Sequence, residues 1–259
     1  MILKLLLLFG IYPIAKIVKD WLTRISPKYI QRLNFYSQFI NKGDLCFDIG
    51  ANLGNRTEVF FNLGARVVAV EPQDVCMRQL KRRYQRNSKI ILLQKAVGEK
   101  EGKGKLMLNN AHPLSSMSEK WVNNARISKR WWACKWDKTV IVKITTLDKL
   151  VEKYGKPVFC KIDVEGFELQ VLRGLSQPIG TISFEFTPEL INSIIYCIKH
   201  LVKIGYGEFN YSVEESMRWG LSSWITSGEI RRILTSLSYK NICGDVYARP
   251  IEKCITDKS

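Results

Sequence analysis

The segment 45–71 constrains the fold of this chain more than any other. A short apolar run leads into a loop that contains Gly50 and Gly54, and a helix-forming stretch follows. A second apolar run, 67–70, ends in Glu71. The order strand, glycine-rich turn, helix, strand and acidic residue is the outline of a site for a nucleoside-containing cofactor. It predicts a βαβ unit in which the glycines let the backbone approach a ligand and Glu71 accepts hydrogen bonds from ribose hydroxyls.

Asp48, at the end of the first predicted strand, distinguishes between cofactor classes. A carboxylate there would repel a pyrophosphate, and it would attract a cofactor that carries an amino group and a sulfonium. The Gly-x-Gly-x-x-Gly pattern typical of NAD sites is also absent from the chain. The residues therefore favour S-adenosylmethionine, and NAD-dependent oxidoreduction is a distant alternative.

Apolar runs alternate with helix-forming stretches along most of the chain. This pattern is typical of an α/β domain with a mostly parallel sheet and helices on both faces. The predicted strands are Leu45–Ile49, Arg66–Glu71, Lys89–Gln94, Val158–Asp163, Gly180–Phe186, Phe209–Ser212 and Ile242–Ala248, the last two forming an antiparallel pair. A further pair is predicted between Lys105–Leu108 and Val140–Ile144.

The same pattern sets the predicted domain boundaries. Residues 41–250 form one catalytic domain, which carries an insert rich in Trp and basic residues at about 111–138. Residues 1–40 are predicted to be an apolar, basic helical extension, and 251–259 a tail. Residues 1–20 suit either a helix at a membrane interface or one packed on the domain. Seven cysteines without a Cys-x-x-Cys pair indicate free thiols, and we expect a cytoplasmic protein, with association at the inner membrane surface as an option.

Four acidic residues fall at the ends of predicted strands: Asp48, Glu71, Asp163 and Glu185. In open α/β sheets the ligand lies beyond the carboxyl ends of the strands, at the point where the strand order reverses. We therefore expect these four side chains to gather around one site.

The segment 161–166, Lys-Ile-Asp-Val-Glu-Gly, is the second chemical signal. Alternation along a strand sends Lys161 and Asp163 to one face, and Glu165 is predicted to open the next helix, Glu165–Gly174. The two carboxylates could take the proton of a substrate hydroxyl. They could equally hold a divalent metal, or Glu165 could simply favour the start of the helix. A metal is an option but is not predicted.

Five motifs occur in a fixed order along the chain: Asp48-x-Gly50-Ala51-Asn52-x-Gly54, Val70-Glu71-Pro72, Thr146-Leu147-Asp148, Lys161-Ile162-Asp163-Val164-Glu165-Gly166-x-Glu168 and Val171-Leu172-Arg173-Gly174. With these motifs the chain resembles, over roughly residues 43–190, the FkbM-type S-adenosylmethionine-dependent methyltransferases. The resemblance implies a class I, Rossmann-like methyltransferase fold with a seven-stranded sheet. It also implies O-methylation of a hydroxyl of a sugar, a glycolipid or polysaccharide, or a natural product.

The resemblance further implies roles for individual residues. Those implied to line the methionine part of the cofactor are Asp48, Gly50, Asn52 and Gly54. Glu71 would bind the ribose, Ala96 would lie near the adenine, and Asp163 and Glu165 would face the acceptor. The insert and the region after Phe186 inherit no substrate role.

Charge supports a rival acceptor. The chain has 40 Lys and Arg against 24 Asp and Glu, a formal net charge of +16. Nine of these basic residues lie between 81 and 105, and such a patch suits RNA phosphates. An RNA ribose methyltransferase is therefore an alternative, although the Asn-Pro-Pro-Tyr type of motif is absent. A non-catalytic binding protein that retains the cofactor fold is another.

The insert and His112 each allow two interpretations. The insert interleaves basic residues with Trp121, Trp131, Trp132 and Trp136, which suits either a surface that stacks bases or sugars or a small core of its own. We expect the group to border the substrate entrance. His112 is predicted to be a loop residue, and a catalytic role for it is the alternative.

Overall fold

The computed structural model describes residues 26–110, 112–127 and 133–251. Its strands are β1 (Leu45–Ile49), β2 (Arg66–Val70), β3 (Ile90–Leu93), β4 (Ala96–Val97), β5 (Gly102–Leu108), β6 (Lys138–Thr145), β7 (Phe159–Ile162), β8 (Thr181–Phe186), β9 (Tyr206–Val213) and β10 (Gly244–Pro250). Its helices are α1 (Pro27–Tyr36), α2 (Asn55–Asn62), α3 (Asp74–Tyr84), α4 (Glu119–Ile127), α5 (Leu147–Tyr154), α6 (Glu168–Arg173), α7 (Ile191–Lys203) and α8 (Ser227–Tyr239). Two 3₁₀ segments, His112–Leu114 and Pro188–Leu190, complete the description.

Seven strands form the main sheet in the order β3-β2-β1-β7-β8-β10-β9. Strands β3, β2, β1, β7 and β8 are parallel, and β10 pairs antiparallel with both β8 and β9. The strand order reverses between β1 and β7, which is where α/β sheets place a ligand. The predicted mostly parallel, seven-stranded, Rossmann-like sheet is confirmed.

Helices cover both faces of this sheet because side chains alternate along each strand. Phe47 and Cys46 are neighbours in β1, yet they belong to different hydrophobic clusters. The cluster of Phe47 includes residues of α5, α6, α7 and α8, and the cluster of Cys46 includes residues of α1, α2 and α3.

A second sheet has three strands in the order β4-β6-β5. Strands β5 and β6 are antiparallel with Lys105 opposite Ile141, which confirms the predicted pairing of these segments. Buried Ala96, Leu106 and Val142 form the core of this sheet. It stands beside the carboxyl ends of β1 and β2 and contributes one wall of the cavity described below.

Helix α1 joins the domain core. Ser26 caps it by accepting a hydrogen bond from the Tyr29 N–H at 3.3 Å, and Pro27 occupies its first turn. Tyr36 is fully buried and meets Phe60 and Phe159 edge-on. The predicted membrane contact of residues 1–20 lies outside the described residues. Within the described ranges, no helix is both long and apolar enough to cross a bilayer.

Candidate active site

The turn between β1 and α2 folds against the end of β7. Gly50 (φ 81), Asn52 (φ 48) and Gly54 (φ 84) all have left-handed backbone conformations. A Cβ atom at Gly50 would lie 1.8 Å from the carbonyl oxygen of Asp163, so only glycine permits this approach. The predicted cofactor turn and Asp163 are therefore held next to each other.

Glu71 holds the same turn from β2. Its Oε2 accepts a hydrogen bond from the Asn52 N–H at 2.8 Å, and its Oε1 accepts one from the Gln73 N–H at 2.7 Å. Burial raises the pKa of Glu71 to about 7, although these two backbone N–H groups act in the opposite direction. Because each carboxylate oxygen can accept two hydrogen bonds, Glu71 keeps acceptor capacity for ribose hydroxyls.

A cavity lies between this turn and the three-stranded sheet, with about 510 Å³ of space when the part open to solvent is included. Six of the eight predicted site residues line it: Gly50, Asn52, Glu71, Ala96, Asp163 and Glu165. Apolar wall is added by Leu106, Met117 and Phe167.

Asp48 and Gly54, the other two predicted site residues, do not line this cavity. Asp48 is 2% exposed and accepts a hydrogen bond from the Thr57 hydroxyl at 2.5 Å. Burial raises its pKa to about 6. Gly54 faces α3, where a Cβ would lie 2.7 Å from the Leu80 Cδ2 atom. Both residues shape the turn from its protein side.

Asp163, Glu165 and Glu185 form an acidic cluster at the carboxyl ends of β7 and β8. One carboxylate oxygen from each lies within 4.8 Å of the others. Burial, and then the charges of its acidic neighbours, raise the pKa of Glu165 well above its ordinary value. The pKa of Glu185 is raised for the same reasons. Both shifts favour the protonated carboxyl, which donates a hydrogen bond, over the ionised form, which only accepts.

Oxygen ligands at this spacing are of the type that Mg²⁺ and Ca²⁺ accept. Acidic groups also cluster in proteins without an ion, and we assign no metal to Asp163, Glu165 and Glu185.

The predicted helix start at Glu165 is wrong. Glu165 (φ 54) and Gly166 (φ 86) are consecutive left-handed residues, and α6 begins at Glu168. A Cβ at Gly166 would lie 2.5 Å from the Trp121 Cβ, so the chain turns tightly here under the insert. The Glu168 carboxylate stabilises this turn by accepting hydrogen bonds from the N–H groups of Val164 (3.3 Å) and Gly166 (3.1 Å).

The insert contributes the remaining wall of the cavity. Pro113, Ser115 and Met117 line it. The Ser115 hydroxyl donates to the Gln73 side-chain oxygen at 3.0 Å, and the Ser116 hydroxyl donates to the Glu165 carbonyl oxygen at 2.5 Å. Through these two hydrogen bonds the insert contacts both Gln73, which follows β2, and Glu165 of the acidic cluster.

Two tryptophans of the insert form a small core of its own. Trp121 and Trp136 are 3% and 6% exposed, and their rings meet edge-on with centroids 5.6 Å apart. Trp136 also donates its indole N–H to the Leu114 carbonyl oxygen at 2.7 Å. Trp131, Trp132 and the side chain of His112 lie outside the described residues.

Several residues of the site carry no predicted role. Glu168 belongs to the motif that begins at Lys161, so its place in that motif could have indicated a role in the site. The contacts of Ser115 and Gln73, and of Lys161 and Asp245, join residues 42 and 84 positions apart, and no local pattern indicates them.

Glu168 leads to a prediction about stability. Burial raises its pKa from 4.5 to about 7 in the folded protein. Between these pH values the folded state binds more protons than the unfolded state, so the free energy of unfolding falls as pH rises. In the wild type, Glu168 should lower the free energy of unfolding by at most about 3 kcal/mol between these pH values. Glu168→Gln keeps the acceptor oxygen but does not titrate, so this decrease should disappear. Urea unfolding at pH 5 and pH 8 measures this difference.

The matched control is Glu152→Gln, since the Glu152 side chain is 67% exposed. It should leave the pH dependence of unfolding as in the wild type. An unchanged pH dependence in Glu168→Gln would show that Glu168 does not hold a proton in the folded protein.

Residues 48–240 match a family model described as a methyltransferase FkbM domain. The matched span contains the turn after β1, all residues lining the cavity and the acidic cluster. No curated protein matches the chain significantly.

Several solved structures of low sequence identity are similar to this chain. Precorrin-6y C5,15-methyltransferase from Geobacter metallireducens is 9% identical with a TM-score of 0.46, over 88% of this chain and 90% of that one. A TehB-like SAM-dependent methyltransferase from Corynebacterium glutamicum is 7% identical with a TM-score of 0.46, over 92% and 96%. Fibrillarin from Aeropyrum pernix, solved with S-adenosylmethionine, is 12% identical with a TM-score of 0.42, over 81% and 68%. Because all three scores are below 0.5, the family assignment depends on the sequence match alone.

Proposed function

This chain belongs to the FkbM methyltransferase family, and we propose that it methylates a hydroxyl oxygen of a sugar, a glycolipid or polysaccharide, or a natural product. It is a methyltransferase, and S-adenosylmethionine is its cofactor. The proposal concerns the acceptor. The observation that carries it is the position of Asp163, which lines the cavity beside the cofactor turn and belongs to the acidic cluster.

The residues of the cavity fit S-adenosylmethionine. Glu71 lines the cavity and would accept a hydrogen bond from a ribose hydroxyl, and Gly50 and Asn52 would hold the methionine part. Ala96 provides apolar wall for the adenine, and the carboxylate of Asp163 would favour a nearby positive charge. When bound, the cofactor supplies a methyl group already activated by its sulfonium.

Asp163 is the group that we propose accepts the proton of the acceptor hydroxyl. With the cofactor bound, its methyl group would go to the acceptor oxygen, and the hydroxyl proton would pass to a carboxylate oxygen of Asp163. The Asp163 side chain is 41% exposed, so it can return this proton to solvent. Correct placement of the acceptor oxygen supplies much of the remaining rate.

The acidic cluster also favours an acceptor with several hydroxyl groups. Ionised carboxylates accept hydrogen bonds from hydroxyls, and a protonated carboxyl donates one. Glu165 lines the cavity beside Asp163, so it can hold a hydroxyl next to the one that reacts. Sugars and polyhydroxylated natural products present such neighbouring hydroxyls.

A methyl-transfer assay tests this proposal. Purified protein and radiolabelled S-adenosylmethionine are incubated with glycolipid, polysaccharide and RNA acceptors, and the label in each product is counted. We expect transfer to a glycan or glycolipid hydroxyl. Transfer confined to a nitrogen or carbon acceptor would contradict the proposal.

A ribose hydroxyl of RNA is the second candidate, favoured by the surface position of a basic segment. Eight of its nine Lys and Arg residues are exposed, although Arg83 is paired with Glu58, and the ninth, Lys95, lines the cavity. The nine are Lys81, Arg82, Arg83, Arg86, Lys89, Lys95, Lys100, Lys103 and Lys105. If RNA is the acceptor, its affinity should fall steeply with salt, since each phosphate contact releases counterions. Salt-independent methylation of a neutral glycan would decide against RNA.

A further inference from the structure

Lys161 is the only buried lysine in the described ranges, and its side chain is 2% exposed. It lies in β7, two residues before Asp163, and both side chains point to the same face of the sheet. Its Nζ atom lies 2.7 Å from the Asp245 Oδ1 atom and 3.4 Å from the Asp163 Oδ2 atom. One ammonium group thus bridges two carboxylates, of which only Asp163 lines the cavity.

The bridge spans three strands of the sheet. Lys161 pairs in register with Ser183 of β8, and Asp245 of β10 pairs with Glu185 of β8. The lysine side chain therefore crosses β8 to reach Asp245. Asp245 is itself buried, so the position of the ammonium is fixed by a group that does not line the cavity.

Stability alone is a weak reason for such an arrangement. Burying ions costs solvation energy, and well-packed apolar replacements of a buried ion pair are often at least as stable. The local charges give a different reason. Asp163 stands beside Glu165 and Glu185, and either of these carboxyls repels the Asp163 carboxylate whenever it is ionised. A cation on one side of Asp163 would keep its carboxylate in place.

We propose that Lys161 is a positioning residue that, held by Asp245, fixes Oδ2 of Asp163 and leaves Oδ1 for the acceptor hydroxyl. The inference rests on the proposed function, in which Asp163 takes the hydroxyl proton. In this role Lys161 acts on Asp163 without lining the cavity itself. Asp245, 84 residues away in sequence, holds the lysine in place.

The test separates positioning from folding by using two variants. Lys161→Met alone leaves the Asp245 carboxylate buried without its partner, so the melting temperature should fall by roughly 10 °C. Lys161→Met combined with Asp245→Leu removes both charges, and most of that loss should be recovered. In both variants kcat should fall about 100-fold, because the reacting groups are misplaced. The dissociation constant for S-adenosylhomocysteine should stay within about twofold.

Crystal structures with S-adenosylhomocysteine give a readout that needs no acceptor. The wild type should show one Asp163 rotamer with Oδ2 beside Lys161, and the double variant should show a displaced or multiple Asp163 side chain. Lys149→Met, which breaks an exposed ion pair with Glu152, is the control and should change neither kcat nor Asp163.

The outcomes separate the two proposals. An unmoved Asp163 in the stable double variant, or an unchanged kcat, would overturn the positioning role while leaving O-methylation standing. A wild type that binds the cofactor but methylates no hydroxyl would overturn the proposed function, and the crystal structures would still decide the role of Lys161.

Discussion

Asp163→Asn should lower kcat for methyl transfer by about 10²–10⁴-fold, the usual contribution of a general base. The carboxamide has nearly the same shape, but it cannot take the hydroxyl proton. Because Asp163 lines the cavity without shaping the glycine turn through its side chain, the affinity for S-adenosylmethionine should change by only a few-fold. Steady-state kinetics and calorimetric titration with the cofactor measure the two effects separately.

Asp137→Asn is the matched control for this prediction. Asp137 is exposed and does not line the cavity, so the same chemical change there should leave kcat unchanged. An Asp163→Asn protein with at least half of the wild-type kcat would remove Asp163 from the role of base. Glu165 would then be the next candidate, since it also lines the cavity.

Gly50→Ala should weaken binding of S-adenosylmethionine by about 100-fold or more. The new Cβ would lie 1.8 Å from the Asp163 carbonyl oxygen, and the backbone at this position has φ 81. Overpacking costs about 1–3 kcal/mol or more, and a left-handed non-glycine residue costs about 1–2 kcal/mol. A change of about 1.4 kcal/mol alters a dissociation constant tenfold. If the turn must move to relieve this clash and strain, the energy cost therefore accounts for a 100-fold loss of cofactor affinity.

Gly43→Ala separates backbone strain from the steric clash. Gly43 has φ 94, close to that of Gly50, but an added Cβ would meet nothing within 4 Å. It should cost about 1–2 kcal/mol of unfolding free energy and leave cofactor binding intact. Cofactor affinity that falls equally in both variants would show that the contact between the turn and Asp163 is not what shapes the cavity.

Much of the sheet could be predicted because its strands are short apolar runs. The predicted strand Leu45–Ile49 matches β1, and the other predicted strands of the main sheet overlap the observed ones. Strand β4 is only two residues long, Ala96–Val97, and lacks a recognisable pattern. Helix α8 is absent from the predicted elements although Thr226 and Glu229 form a capping box at its start.

The site could be predicted where its residues are close in sequence. Glycines and acids near strand ends identified Gly50, Glu71, Asp163 and Glu165 of the cavity wall, since carboxyl ends of parallel strands meet at one edge. The partner of Asp48 could not be predicted, because its position at a strand end does not show that its carboxylate accepts a hydrogen bond from the Thr57 hydroxyl. Tertiary packing also determines the backbone conformation of Glu165, which is left-handed because the chain turns tightly beneath Trp121.

The position of the transferred methyl group is the most direct test of O-methylation with Asp163 as the base. Wild-type and Asp163→Asn proteins would be incubated with isotopically labelled S-adenosylmethionine and an accepted substrate, and the product would be analysed by NMR. We predict a labelled methyl ether on a hydroxyl oxygen, formed by the wild type and almost absent with Asp163→Asn. A label on nitrogen, carbon or sulfur, or equal product from both proteins, would contradict it.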